Sequence, residues 1–251
     1  CYHKTLAGKV MLEISEVIGL AAQGQGGAYQ CRGEDNNLYW VKGLNAQRPF
    51  QVREWIAAHL AREFGLPIAN FCLVNIDNDL EIYLPEEYKN IGYGPCFGSK
   101  NAKNSTWFRP LTMCASVPED LKMDILLFDY WIQNTDRTTH NPNLLWVEHS
   151  NQLVVIDHNL SFDTDFNETT FFNEHVFSDN KDPLFTDCVR IGQYKERLEG
   201  IITSWDDVIA TIPLEWNWTN LEQDHEADID FLALKAILDR YTDDNFWRMK
   251  G

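Results

Sequence analysis

Asp136, Asn141 and Asp157 are the residues of this chain whose types and order could do chemistry together. Asp136 and Asn141 stand five apart in a polar turn, Asn134-Thr135-Asp136-Arg137-Thr138-Thr139-His140-Asn141-Pro142-Asn143. Asp157 closes a later apolar run, Leu153 to Ile156. All three offer hard oxygens on short, stiff side chains, the donors that Mg²⁺ takes. Phosphoryl transfer calls for such a set. One carboxylate orients and deprotonates the attacking hydroxyl, and further oxygens hold Mg²⁺ across the phosphates. D-x-x-x-x-N alone is common as a polar loop. Its conjunction with N-x-D-R, N-x-N-L-L and I-D-H gives it weight.

The elements that must position these residues follow from periodicity. Pro118-Glu119-Asp120 opens a helix that runs to about Ile132, with its acids at the favourable N-terminal end. Asn143 to Val147 and Leu153 to Ile156 read as strands. The polar turn therefore sits where a helix and two strands leave the core. Upstream, Val10 to Ile18, Tyr29 to Arg32 and Leu38 to Gly43 read as strands. Gly24-Gln25-Gly26-Gly27 lies between the first two, and glycines let backbone N–H groups approach phosphates closely. An ordinary hairpin turn explains the same glycines equally well. Phe50 to Phe64 is a helix with Val52, Ile56, Leu60 and Phe64 on one face, ended by Gly65 and Pro67. Ala69 to Ile76 and Leu80 to Leu84 read as two strands around an Asn-Asp turn, and residues 85 to 97 as a flexible connector. Asp163 to Pro183 has no clear period. Ser161 just before it, and Thr164, Thr169 and Thr170 within it, read as surface hydroxyls, with phosphosites the alternative. Tyr194 to Ala210 and Glu222 to Tyr241 are helical by period, and the aromatic corner Ile212 to Trp218 reads as core packing.

Together, NTDR, NPNLLW and IDH resemble the catalytic core of HipA-like kinases, relatives of the HipA toxin kinases, over about Leu38 to Trp218. N-x-D-R and the later I-D are also similar to the phosphatidylinositol kinase group. The resemblance implies an α+β, two-lobed protein-kinase-like fold that uses ATP and Mg²⁺. A small β-rich N-lobe with one helix would take residues 1–98, and a larger, mostly helical C-lobe residues 99–251. Asp136 would address the acceptor hydroxyl, and Asn141 and Asp157 would hold Mg²⁺. Arg137 would either neutralise phosphate charge or lock the loop. Gly24, Gly26 and Gly27 would cover the phosphates. YWVKG matches the strand of the phosphate-binding lysine, Lys42, and Glu54 matches its partner, with Glu63 the plainer alternative. Cys96, Phe97 and Gly98 would lie in a crossing between lobes, Pro95 to Ser99, whose backbone faces adenine. The implied acceptor is a protein Ser or Thr. Rival readings are a small-molecule or lipid kinase, and a nucleotide-binding pseudokinase acting as an interaction module. Two departures stand out. His158 replaces the Phe of D-F-G with no Gly after it, and no Ser or Thr lies between Gly19 and Gly33, where relatives silence themselves by phosphorylation.

Composition narrows the partners. With 21 basic against 38 acidic side chains the net charge is -17, a surface that repels nucleic-acid backbones and anionic membranes. No apolar run approaches the roughly 18 residues of a membrane span, and no signal peptide is indicated. Six scattered cysteines without C-x-x-C fit reduced thiols in a cytoplasmic protein. The seven histidines lack zinc-binding spacing, and His140, inside the turn, either touches substrate or stabilises the loop. Beside the fuller HipA toxins the chain is short and is expected to lack their larger N-terminal region. The protein substrate is unspecified, and an antitoxin-like or regulatory partner stays open.

Overall fold

The computed structural model describes residues 3–6, 9–21 and 27–248. Two compact units emerge. One takes the residues through Trp55, Ala69–Asn101 and Ala210–Ile229; the other takes Ile56–Ile68, Ala102–Ile209 and the residues from Asp230.

The first unit is built on a sheet of β1 (His3–Leu6), β2 (Lys9–Leu20), β3 (Tyr29–Gly33), β4 (Leu38–Lys42), β5 (Phe71–Ile76) and β6 (Gly94–Lys100). The strand order is β1-β2-β3-β4-β6-β5, and β5 pairs again with β2. That last pairing is parallel, Leu12 to Val74 and Glu13 to Asn75, so the sheet closes on itself. Alternate residues point inward as the two-residue period requires. Tyr29 and Cys31 of β3, Tyr39 and Val41 of β4, and Val74, Ile76 and Cys96 form the core. Helix α1 (Arg48–Phe64) follows β4, its residues through Trp55 counted in this unit and those from Ile56 in the other. Val52, Ile56, Leu60 and Phe64 are each fully buried, as their spacing predicts. Each such side chain contributes about 1.5–3 kcal/mol of transfer free energy. The helix ends in a Schellman turn: Gly65 N donates to Arg62 O, Leu66 N donates to Ala61 O, and Gly65 has φ +83.

Two sequence expectations fail in this unit. Leu80 to Leu84 is not a strand. Asn78–Ile82 forms α2, because the Asp77 carboxylate caps it by accepting from Asp79 N. Residues 85 to 97 are not a loose connector, since Glu86–Ile91 is a 3₁₀ helix and Gly94 onward is β6. Pro95 to Ser99 is thus part of a sheet strand, hydrogen-bonded to β4 on one side and β5 on the other. Its small residues serve packing: a Cβ on Gly98 would stand 2.5 Å from Val74 Cγ1.

The second unit centres on α4 (Glu119–Trp131), preceded by β7 (Ser105–Trp107) and α3 (Pro110–Met113). Nearly every residue of α4 from Lys122 onward is buried, the mark of a helix enclosed on all sides. After it, β8 (Leu144–Val147) and β9 (Gln152–Val155) join β7 in an antiparallel sheet, Leu144 opposite Val155. The aperiodic stretch holds α5 (Glu168–Glu174) and α6 (Lys181–Thr186), gathered around the Tyr130 ring, which packs against Phe166, Phe171, Phe172 and Phe185. α7 (Cys188–Ile202) and α8 (Trp205–Ala210) replace the single helix expected over Tyr194 to Ala210. Helix α9 (Phe231–Asp239) is the helical part of Glu222 to Tyr241, its start fixed by the Asp230 carboxylate accepting from Ala233 N. Among the described residues no helix is long and apolar enough to cross a membrane. Of the described cysteines, all free, Cys31 and Cys96 are buried and Cys188 is exposed.

Candidate active site

Lys42 ends β4 with its side chain 9% exposed, and its Nζ donates to Glu54 Oε2 at 2.8 Å. Glu54 is 4% exposed on α1, so both charges are held away from water. The first turn of α1 is tied to the end of β4: Gln51 Nε2 donates to Gly43 O at 2.6 Å, and Arg48 Nη1 donates to Gln51 Oε1 at 3.3 Å. Glu63, the alternative partner, accepts instead from Ser204 Oγ at 2.6 Å. Asn45 Nδ2 donates to Gly27 O at 2.7 Å, pinning the end of the glycine-rich turn. Gly27 sits at φ +59, where a Cβ would lie 2.5 Å from that same nitrogen. Gly24 and Gly26 fall outside the described residues. Phe97 and Gly98 lie in β6 opposite Lys42 and Val41, and Cys96 is buried beside them.

In the second unit the loop after α4 carries Asp136, half-buried, with both carboxylate oxygens engaged. Oδ1 accepts from Asn141 Nδ2 at 2.9 Å and Oδ2 from Asn143 Nδ2 at 2.8 Å. Asn141, exposed, keeps its Oδ1 for another partner. Asn143 is buried and sits at φ +46. Asp157 follows β9 at φ +58, a left-handed conformation that costs a non-glycine residue about 1–3 kcal/mol and concentrates at working sites. His158 is 2% exposed and stands edge-on to the Phe128 ring, 5.9 Å between centroids. It packs as an aromatic side chain. His140 is exposed on the loop, whereas Ser161, expected at the surface, is fully buried.

Arg137 binds this loop together. Its Nε donates to Asp129 Oδ2 at 2.6 Å, and its Nη1 donates to the carbonyls of Asn143 (2.7 Å), Ile156 (3.1 Å) and Pro142 (3.3 Å). One planar guanidinium therefore fixes the backbone on the two stretches bearing Asn141 and Asp157. Asp129 in turn accepts from Asn134 Nδ2 at 2.7 Å. His175 Nδ1 accepts from Phe177 N, which leaves the proton on Nε2, 3.1 Å from Asp129 Oδ2. Burial alone would raise the Asp129 carboxyl, yet Arg137 and His175 hold it well below the usual carboxylate range. Burial pushes the His175 imidazole down, against the pull of Asp129, so it stays neutral near pH 7.

The profile of the HipA-like kinase family matches residues 14–250. The chain belongs to the HipA-like kinase family. Two solved structures share its kinase-like fold, a mixture of α and β. One is the Helicobacter pylori proinflammatory kinase CtkA, with TM-score 0.51, 15% identity and 92% of each chain covered. The other is the golgi casein kinase, with TM-score 0.52 and 12% identity, covering 94% of this chain and 72% of that one. No curated protein matches this HipA-like kinase in sequence.

Asp129, Asn143 and His175 escaped the sequence reading. An acid alone in the apolar run Leu126 to Trp131 was the available signal, because a buried carboxylate requires partners. Nothing in the sequence marks His175, which lies 46 residues from Asp129.

Proposed function

We propose that this HipA-like kinase transfers the γ-phosphoryl of ATP to a serine or threonine hydroxyl of a protein, in a two-lobed arrangement with residues 1–98 and 99–251 as the lobes. The residues present fit Mg²⁺-ATP. Asn141 Oδ1 and the Asp157 carboxylate are hard oxygen donors, and Mg²⁺ is usually held by one or two protein groups plus substrate phosphates. Such a site needs no cluster of three His, Cys, Asp or Glu side chains, and none occurs among the described residues. ATP, when bound with Mg²⁺, supplies the phosphoryl group and the charge neutralisation.

The chain's own groups do the rest. Asp136, fixed by two amides, takes the acceptor proton and aims its oxygen. Asn141 and Asp157 hold the metal. Lys42, held ready by Glu54, would meet the phosphates, the role the family resemblance also assigns to Gly24, Gly26 and Gly27. Arg137 is a positioning residue, since its donors are turned to Asp129 and the loop carbonyls.

What carries this function is the Asp136 carboxylate, held at 2.9 and 2.8 Å by Asn141 and Asn143. The purified protein with γ-labelled ATP, Mg²⁺ and a cell lysate should label proteins on Ser or Thr, and Asp136→Ala should abolish the label. Label confined to lipid or small molecules would reassign the acceptor. Failure to bind Mg²⁺-ATP would remove the kinase mechanism.

A further inference from the structure

Trp55 follows Glu54 directly on α1, and its indole is enclosed edge-on by three rings. Phe71 stands 5.4 Å away at 88°, Phe97 6.4 Å at 83° and Trp216 6.3 Å at 90°. Its Nε1 donates to Thr211 Oγ1 at 2.8 Å. Successive helical residues are fixed about 100° apart, so Glu54 and Trp55 rotate as one body. Glu54 cannot swing from Lys42 by rotation of α1 unless the Trp55 indole leaves its slot. Trp216 is fully buried and does a second thing: its Nε1 donates to Pro95 O in β6 at 2.8 Å. Two residues on in that strand, Phe97 stands opposite Lys42. One indole, contributed by the 210–229 segment, thus touches both the helix bearing Glu54 and the strand flanking Lys42.

We infer that Trp216 is a positioning residue for the Lys42–Glu54 pair, clamping α1 to β6 so that Lys42 is presented in one geometry. Its consequence for catalysis rests on the place proposed above for that pair at the phosphates. The clamp itself is measurable without nucleotide. Trp216→Phe keeps an aromatic ring and deletes the Nε1–H. Thr211→Val is the milder change, removing the acceptor of Trp55. Trp247→Phe is the control: Trp247 is buried in the other unit, and its Nε1 donates to Tyr241 O at 2.7 Å.

Labelling by trinitrobenzenesulfonate, read by mass spectrometry as the ratio of Lys42 to exposed Lys103, reports how firmly Lys42 is held. Trp216→Phe and Thr211→Val should raise that ratio several-fold in folded protein. Trp247→Phe should leave it unchanged even where the melting temperature falls as far. An unchanged ratio in both test variants, or an equal rise in the control, would overturn the clamp; if Trp216→Phe does not fold, Thr211→Val decides alone. With ATP, the test variants should raise the KM for ATP more than they lower kcat. A labelling shift in a protein without Mg²⁺-ATP turnover leaves the clamp standing and removes the phosphotransfer reading. Normal turnover with no shift removes the clamp alone.

Discussion

Asp129 Oδ2 lies 2.6 Å from Arg137 Nε, with the side chains 1% and 0% exposed. An ion pair so enclosed is strongly coupled, because removing one partner strands the other charge in a low-dielectric interior. The same guanidinium holds the carbonyls of Asn143 and Ile156, so the pair sets the loop's shape as well as its stability.

Asp129→Ala should therefore cost about 3–5 kcal/mol. The urea midpoint of the second unit is the measurement. Arg137→Lys should also lower turnover, since a single ammonium cannot reproduce the fork. A loss near zero for Asp129→Ala would mean the loop is held by its backbone alone.

Lys42→Ala and Glu54→Ala should each reduce turnover and stability, and the double variant should fall well short of their sum. Neighbours in one network couple by about 0.5–3 kcal/mol. Strict additivity would separate the two side chains functionally, despite the 2.8 Å contact.

Asp136 and Asp157 should fail in different ways. Asp157→Ala should lose most Mg²⁺-ATP affinity, whereas Asp136→Ala should bind it and not turn over. Ligand at 100 times Kd stabilises by about 2.7 kcal/mol, which corresponds to a melting shift of roughly 5–10 °C for a chain this long. Asp136→Ala should keep that shift. Equal loss in both variants would overturn the division of roles.

Thr164, Thr169 and Thr170 are exposed on the segment after Asp157. In many kinases such a segment is ordered when a phosphate pairs with an arginine. Here Arg137 is already engaged by Asp129. The triple Thr→Ala variant should accordingly retain wild-type turnover, and a large loss would show that the segment awaits modification.

Acid should weaken the fold in a defined window. Burial depresses His175, and burial with the Arg62 charge takes His59 from 6.5 to about 4. Below 6.5 the unfolded imidazoles bind protons that the folded ones refuse, so stability rises with pH through this range. It should be complete above pH 6.5 and decline as pH falls toward 4. Urea midpoints that rise on acidification would contradict this, and His59→Gln should flatten the decline.

The pairing of Asp136 with Asn141 was legible because the two are close in sequence and chemically distinctive, and α1 because its apolar stripe repeats every four residues. Strand β6 was not, since Gly94, Pro95 and Gly98 carry turn propensity that sheet closure overrides. Nor was α2, where Asp77 converts an alternating run into a capped helix turn. Long-range partners such as His175 for Asp129, or Trp216 for Pro95, leave no periodic trace.

The closure of the first sheet orders events during synthesis. Strand β2 waits for β5, more than fifty residues later, before its parallel pairing can form. Even then the unit is unfinished, because Trp216 and Thr211 lie over a hundred residues beyond β6. At roughly 5–20 residues per second, that delay is on the order of 10 s. During it the emerging chain carries an incomplete half, with Trp55 lacking Thr211 and Trp216. Attachment of nascent-chain binders to this stretch should be greatest then and end when the 210–229 segment leaves the ribosome.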